Sequence, residues 1–163
     1  MSRIGDIRAL IDSGQHATAL QQLLPLLEGS QAEHGGQLYY CAAWCCDALG
    51  LERQALPHYH NAIRYGLPDA DLREAYVGLG STYRALGEYE SAAQALAQGR
   101  ALFPAYQPLK VFAAMASYNL GQYRDAVSQL LQLLADTTAD ADIRRYRKAI
   151  AHYAQDVDHI DPQ

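Results

Sequence analysis

The sequence predicts an all-α fold: a right-handed α-solenoid of about four helix-turn-helix repeats plus a C-terminal capping helix. Three observations carry this expectation. Gly14, Gly50, Gly87 and Gly121 stand 36, 37 and 34 residues apart, and recurrence at roughly 20 to 50 residues marks a stacked-repeat architecture. Each glycine is followed five positions later by an alanine (Ala19, Ala55, Ala92, Ala126) and four positions after that by Leu23, Tyr59, Leu96 or Leu130. With Leu26, Ala62, Gly99 and Leu133 three residues further on, every block reads as the i, i+4, i+7 stripe of an amphipathic helix. No alternating strand pattern competes, and nothing of low complexity divides the 163 residues, a length that suits one domain.

Residues 1–29 read as a degenerate first repeat, with helices over 3–13 and 15–28. Ile4, Ile7, Leu10 and Ile11 line the first, Leu20, Leu23, Leu24 and Leu27 the second, and Pro25 is expected to bend it. Repeat two spans 34–67, with helices over 34–49 and 52–66. Tyr39, Ala42, Ala43 and Cys46 lead to Leu49-Gly50, and a glycine there supplies the left-handed backbone that ends a helix abruptly. Repeat three spans 70–104, with helices over 70–86 and 89–102. Gly80 and Ala92 allow two backbones to approach, as Ala43 and Ala55 do one repeat earlier, while Tyr59 and Tyr83 fill the space beside the crossing. Pro68 and Pro104 stand between repeats, where a residue that cannot continue a helix is tolerated. Repeat four spans 107–138, with helices over 107–120 and 122–136. The capping helix follows over 140–156, with Ile143, Ala149, Ile150 and Tyr153 expected to cover the last repeat.

The third repeat, from Tyr76 through Leu79-Gly80, Tyr83, Ala92 and Leu96 to Pro104, resembles the tetratricopeptide pattern position for position. Repeat four keeps Ala113, Ala114, Leu120-Gly121, Ala126 and Leu130 but has Lys110 and Ser117 where aromatics are usual. Over about residues 38–156 the chain is similar to small stand-alone bacterial tetratricopeptide-repeat proteins. That resemblance implies a cytoplasmic protein-interaction scaffold, dimeric, without catalytic residues to carry over.

In a stacked helix pair the first helix spends one stripe on its own partner and keeps a second for the concave surface of the superhelix. That second stripe holds Tyr40, Trp44 and Asp47 in repeat two, Val77, Ser81 and Arg84 in repeat three, and Val111, Met115 and Tyr118 in repeat four, beside Phe112 and Asn119. On the last helix it holds Arg145, Tyr146 and His152. Aromatic anchors mixed with a few charges are what interface hot spots favour. Trp44, the single tryptophan, reads either as a partner anchor or as an inter-repeat packing residue. Asp47 and Arg84 occupy equivalent positions on neighbouring helices and are expected to pair, or else Arg84 and Arg145 offer a carboxylate site.

No catalytic, metal or cofactor site is expected. Cys41 and Cys45 share a helix face and Cys46 points elsewhere; with His34 upstream they supply too few converging ligands for zinc and read as buried thiols. His58 and His60 read as surface residues. Thirteen Lys and Arg against eighteen Asp and Glu give a net charge of −5, which disfavours nucleic acid. The basic run Arg144, Arg145, Tyr146, Arg147, Lys148 is read as the polar face of the cap. The longest apolar run, Leu38 to Cys46, is less than half a membrane span, and the charged start has no export segment. A cytoplasmic scaffold that binds a protein or peptide is therefore expected, the alternatives being a homodimer joined through its groove and a secretion-type chaperone.

Overall fold

Gly14, Gly50, Gly87 and Gly121 all take left-handed backbone angles, with φ of 76, 71, 78 and 78°. At each, the glycine N–H donates to the carbonyl three residues back, and the next residue's N–H donates to the carbonyl five back, as in Gly50 to Asp47 (3.0 Å) and Leu51 to Cys46 (2.8 Å). This closure satisfies carbonyls that a helix end would otherwise strand. A computed structural model describes residues 3–29 and 35–160, which form ten helices among the described residues. These are α1 (Arg3–Asp12), α2 (His16–Gly29), α3 (Gly35–Ala48), α4 (Glu52–Tyr65), α5 (Asp69–Ala85), α6 (Tyr89–Leu102), α7 (Gln107–Asn119), α8 (Tyr123–Thr137), α9 (Ala141–Arg145) and α10 (Arg147–Gln155). Helix α2 continues past Pro25 to Gly29.

Consecutive helices pack in pairs, and each first helix also meets the first helix of the next repeat: α1 with α3, α3 with α5, α5 with α7. The chain is thus an α-solenoid whose core is a strip. Ile7, Ile11, Leu23, Cys41 and Cys45 fill the stretch between α1, α2 and α3. Cys46, Ala55, Tyr59 and Leu79 fill the next, and Tyr76, Leu96, Leu109 and Ala113 the one after. Close approach depends on missing side chains: a Cβ on Gly80 would lie 2.4 Å from Leu96 Cγ, and one on Gly36 would lie 1.9 Å from the Gly66 carbonyl oxygen. Arg8 of α1 reaches Asp71 of α5 at 2.5 Å, and Gln37 of α3 donates to the same oxygen at 3.2 Å, so three successive first helices are tied together.

The C-terminal end differs from expectation in three respects. The helix expected over 140–156 is two helices, broken at Tyr146, and Asp140 caps the first by accepting from the N–H groups of Asp142 and Ile143 (3.0 and 2.9 Å). Leu130, the counterpart of Tyr59 and Leu96, is 42% exposed, whereas those are 3% and 0% exposed. Ala149 and Tyr153 are exposed instead of covering the last repeat, and the buried residue of α10 is Ala154. Helix α10 does close against α8, the Ser128 hydroxyl donating to the Ala154 carbonyl, but it makes no comparable contact with α7. It lies along Ser128 and Ala135 of α8, whose counterparts Pro57 and Arg64 in α4 face solvent.

Candidate binding cleft on the first-helix face

Side chains from α3, α4, α5 and α7 line a shallow cleft of about 410 Å³. Six of the expected inner-face residues come together there: Tyr40, Trp44, Asp47, Val77, Ser81 and Phe112. Tyr40 is only 5% exposed, so its ring forms floor rather than anchor, 6.1 Å from the Trp44 ring and 6.5 Å from the Tyr59 ring. Its hydroxyl donates to Glu74 Oε2 at 3.0 Å. Trp44 is 40% exposed in a helix whose neighbouring residues are mostly buried. An indole left half in solvent at a cleft edge presents a large apolar face with one donor.

Asp47 lies at the other side of the floor. The Tyr59 hydroxyl donates to its Oδ2 at 2.7 Å, and the Thr82 hydroxyl lies 2.9 Å from its Oδ1 and 2.7 Å from the Gly78 carbonyl. Burial raises the Asp47 carboxyl above its ordinary value, and the hydrogen bonds from Tyr59 and Thr82 oppose that shift. Burial and the adjacent carboxylates push the Tyr40 and Tyr59 hydroxyls upward, so both remain neutral donors. Gly78 makes the arrangement possible, since a Cβ there would meet the Tyr59 hydroxyl at 2.2 Å.

The expected Asp47–Arg84 pair does not form. Arg84 Nη1 donates to Asn119 Oδ1 at 3.3 Å, and Asp47 meets Thr82 instead. The physical reason lies in translation: equivalent positions on stacked first helices all face the next repeat, so Asp47 looks to α5 while Arg84 looks to α7. Arg145 does not join Arg84 either, its guanidinium lying 3.5 Å from Asp142 in α9. Met115, Tyr118, Asn119 and Tyr146 lie outside the cleft. Glu74, which does line it, was missed by the sequence reading, although it stands one turn before Val77 and extending the inner stripe by a turn finds it.

The other chemical candidates are buried or paired. All three cysteines are buried; burial raises each thiol, that of Cys45 to about 12, which leaves them protonated at neutral pH. His58 is half-buried, not a surface residue, and burial lowers its pKa; exposed His60 sits 2.7 Å from the Tyr83 hydroxyl. His34 lies outside the described residues. Among the described residues no cluster of three His, Cys, Asp or Glu is placed to hold a metal ion, and no helix is long and apolar enough to cross a membrane. In the basic run, Arg147 approaches Asp136 at 4.0 Å.

The sequence model of the tetratrico peptide repeat family matches residues 36–157. Superkiller protein 3 of Schizosaccharomyces pombe is 34% identical over 82 residues, which is 50% of this chain and 6% of that protein. The chain therefore spans a small fraction of the length of this relative.

Proposed function

The chain belongs to the tetratricopeptide repeat family, a non-catalytic scaffold fold whose repeats mediate protein–protein interaction, and we propose that it binds a segment of a partner protein in the cleft between α3, α5 and α7. The observation that carries this reading is the pairing of half-exposed Trp44 with two carboxylates, Asp47 and Glu74, that no Lys or Arg among the described residues neutralises. The cleft suits a segment that lays an apolar side chain against Trp44 and Phe112 and turns an ammonium or guanidinium group toward Glu74, where a cation gains from both carboxylate and ring. The protein then acts by holding and positioning that segment, with no chemistry of its own.

Selection of a displayed random-peptide library on the purified protein tests the proposal. Enriched peptides are expected to combine an apolar residue with Lys or Arg, to shift Trp44 fluorescence, and to lose at least tenfold in affinity on Trp44→Ala or Glu74→Gln. Enriched peptides that bind both variants as tightly as the wild type overturn it.

A further inference from the structure

A row of exposed apolar side chains lies at the end of the solenoid, apart from the cleft. In repeat two, Leu56, Tyr59 and Ile63 of α4 pack onto the first helix of the following repeat, α5. In repeat three, Ala93 and Leu96 of α6 pack onto α7 in the same way. Their counterparts on α8 are Val127, Leu130 and Leu134, and all three are exposed, because α10 lies on the outer side of α8 and, among the described residues, no further first helix stacks on α7. The surface is extended by Tyr123, 59% exposed, and Tyr118, 60% exposed, whose rings meet at 5.2 Å.

We infer that this end face is where a second copy of the chain docks, with the two α8 helices antiparallel across a two-fold axis. The spacing of Tyr123, Val127, Leu130 and Leu134 is four, three, four, and so reads the same in either direction. In an antiparallel pair Val127 of each copy faces Leu130 of the other, and Tyr123 faces Leu134, which is the self-complementarity an isologous contact requires. No charge interrupts the stripe: Asp125 and Asp136 lie on the opposite side of the helix, and Arg124 pairs with Asp158. The area is sufficient as well. The exposed parts of these side chains amount to roughly 500 Å² per copy, so two copies bury about 1,000 Å² from them alone, the level at which specific interfaces begin. Stacking onto the other end is disfavoured, because the exposed side of α1 presents Arg3, Asp6 and Asp12, and apolar surface laid on charge gains nothing.

The test is light scattering of the full chain at micromolar concentration, with Val127→Lys, Leu130→Glu and Trp44→Ala beside the wild type. The wild type is expected at twice its 18.0 kDa mass, as is Trp44→Ala, since the cleft is not the interface. V127K and L130E, each verified by circular dichroism, are expected as monomers. Mixing them is expected to restore the dimer, because the antiparallel register sets the ammonium introduced by V127K in one copy against the carboxylate introduced by L130E in the other. A monomeric wild type, dimeric single variants or a W44A monomer overturns the inference, and a mixture that stays monomeric overturns the antiparallel register. Apart from a W44A monomer, which would place the contact between copies in the cleft, none of these results bears on whether the cleft binds a peptide, so the two readings fail separately.

Discussion

Replacing Asp47 isolates what holds the cleft floor in place. In Asp47→Ala, Thr82 keeps the Gly78 carbonyl as acceptor at 2.7 Å, whereas the Tyr59 hydroxyl, in a residue 3% exposed, loses its partner. One stranded buried donor costs about 1–3 kcal/mol, and removal of a desolvated carboxylate returns part of that, so a net loss of about 1–2 kcal/mol is expected. Asp47→Asn keeps an acceptor oxygen for Tyr59 and is expected to lose less than about 1 kcal/mol. Tyr59→Phe removes the donor, and adding Asp47→Ala to it should cost almost nothing more, which gives a coupling energy of about 1–2 kcal/mol. Urea denaturation followed by circular dichroism measures all four proteins. Additive losses would refute the pairing. The pH dependence has a defined sign. Burial raises Asp47 above 3.8 in the folded chain, so its contribution is fully present below 3.8 and is lost as pH rises through the raised value. The stability of wild type relative to Asp47→Asn should therefore fall as pH rises across that window, and a rise would show that the hydrogen bonds outweigh desolvation.

Two further predictions concern backbone approach and the thiols. Gly36→Ala sets a Cβ 1.9 Å from the Gly66 carbonyl oxygen, rigid backbone that cannot step aside, and is expected to cost about 3 kcal/mol or more. Gly87→Ala has nothing within 4 Å and pays only for its φ of 78°, about 1–2 kcal/mol; equal losses on denaturation would contradict the close approach. Cys41, Cys45 and Cys46 are expected to react with a thiol reagent at pH 8 only as fast as the protein opens, and at once in denaturant. A cysteine that labels within seconds in the native protein would show the buried assignment to be wrong.

The helix pairs were legible because their causes are local. A glycine that must take positive φ, an alanine at a crossing and a large apolar residue one turn on are properties of a single repeat, and α1 to α8 begin and end within a residue of the expected positions. The partner of Asp47 was not legible, since it depends on how one first helix sits against the next, a relation between repeats. The closing segment failed for a related reason. Ile143, Ile150 and Tyr153 mark an apolar face on it, but they do not say which side of α8 receives that face, and Tyr146 interrupts the helix where no proline or glycine gives warning. Leu130 shows the limit most plainly. It carries the same pattern as Leu96, yet Leu96 is buried against α7 while Leu130 is left 42% exposed.

That difference determines how the cleft and the end face can work together. On α7, Phe112 faces back toward α5 and lines the cleft, while Met115 and Tyr118 sit where α3 and α5 carry the residues that face forward. The two surfaces thus divide one helix without sharing a side chain. Two copies joined through α8 keep both clefts open and hold them at a fixed separation, so a partner carrying two suitable segments meets the second at a high effective concentration after binding the first. Affinity for such a partner should then fall steeply in L130E, while affinity for a single segment stays unchanged. A groove consumed by self-association behaves differently: L130E, which lies outside the cleft, would then leave the protein dimeric and its affinity for both ligands unchanged. Measuring both ligands on wild type and L130E therefore separates a bivalent scaffold from a self-occupied one.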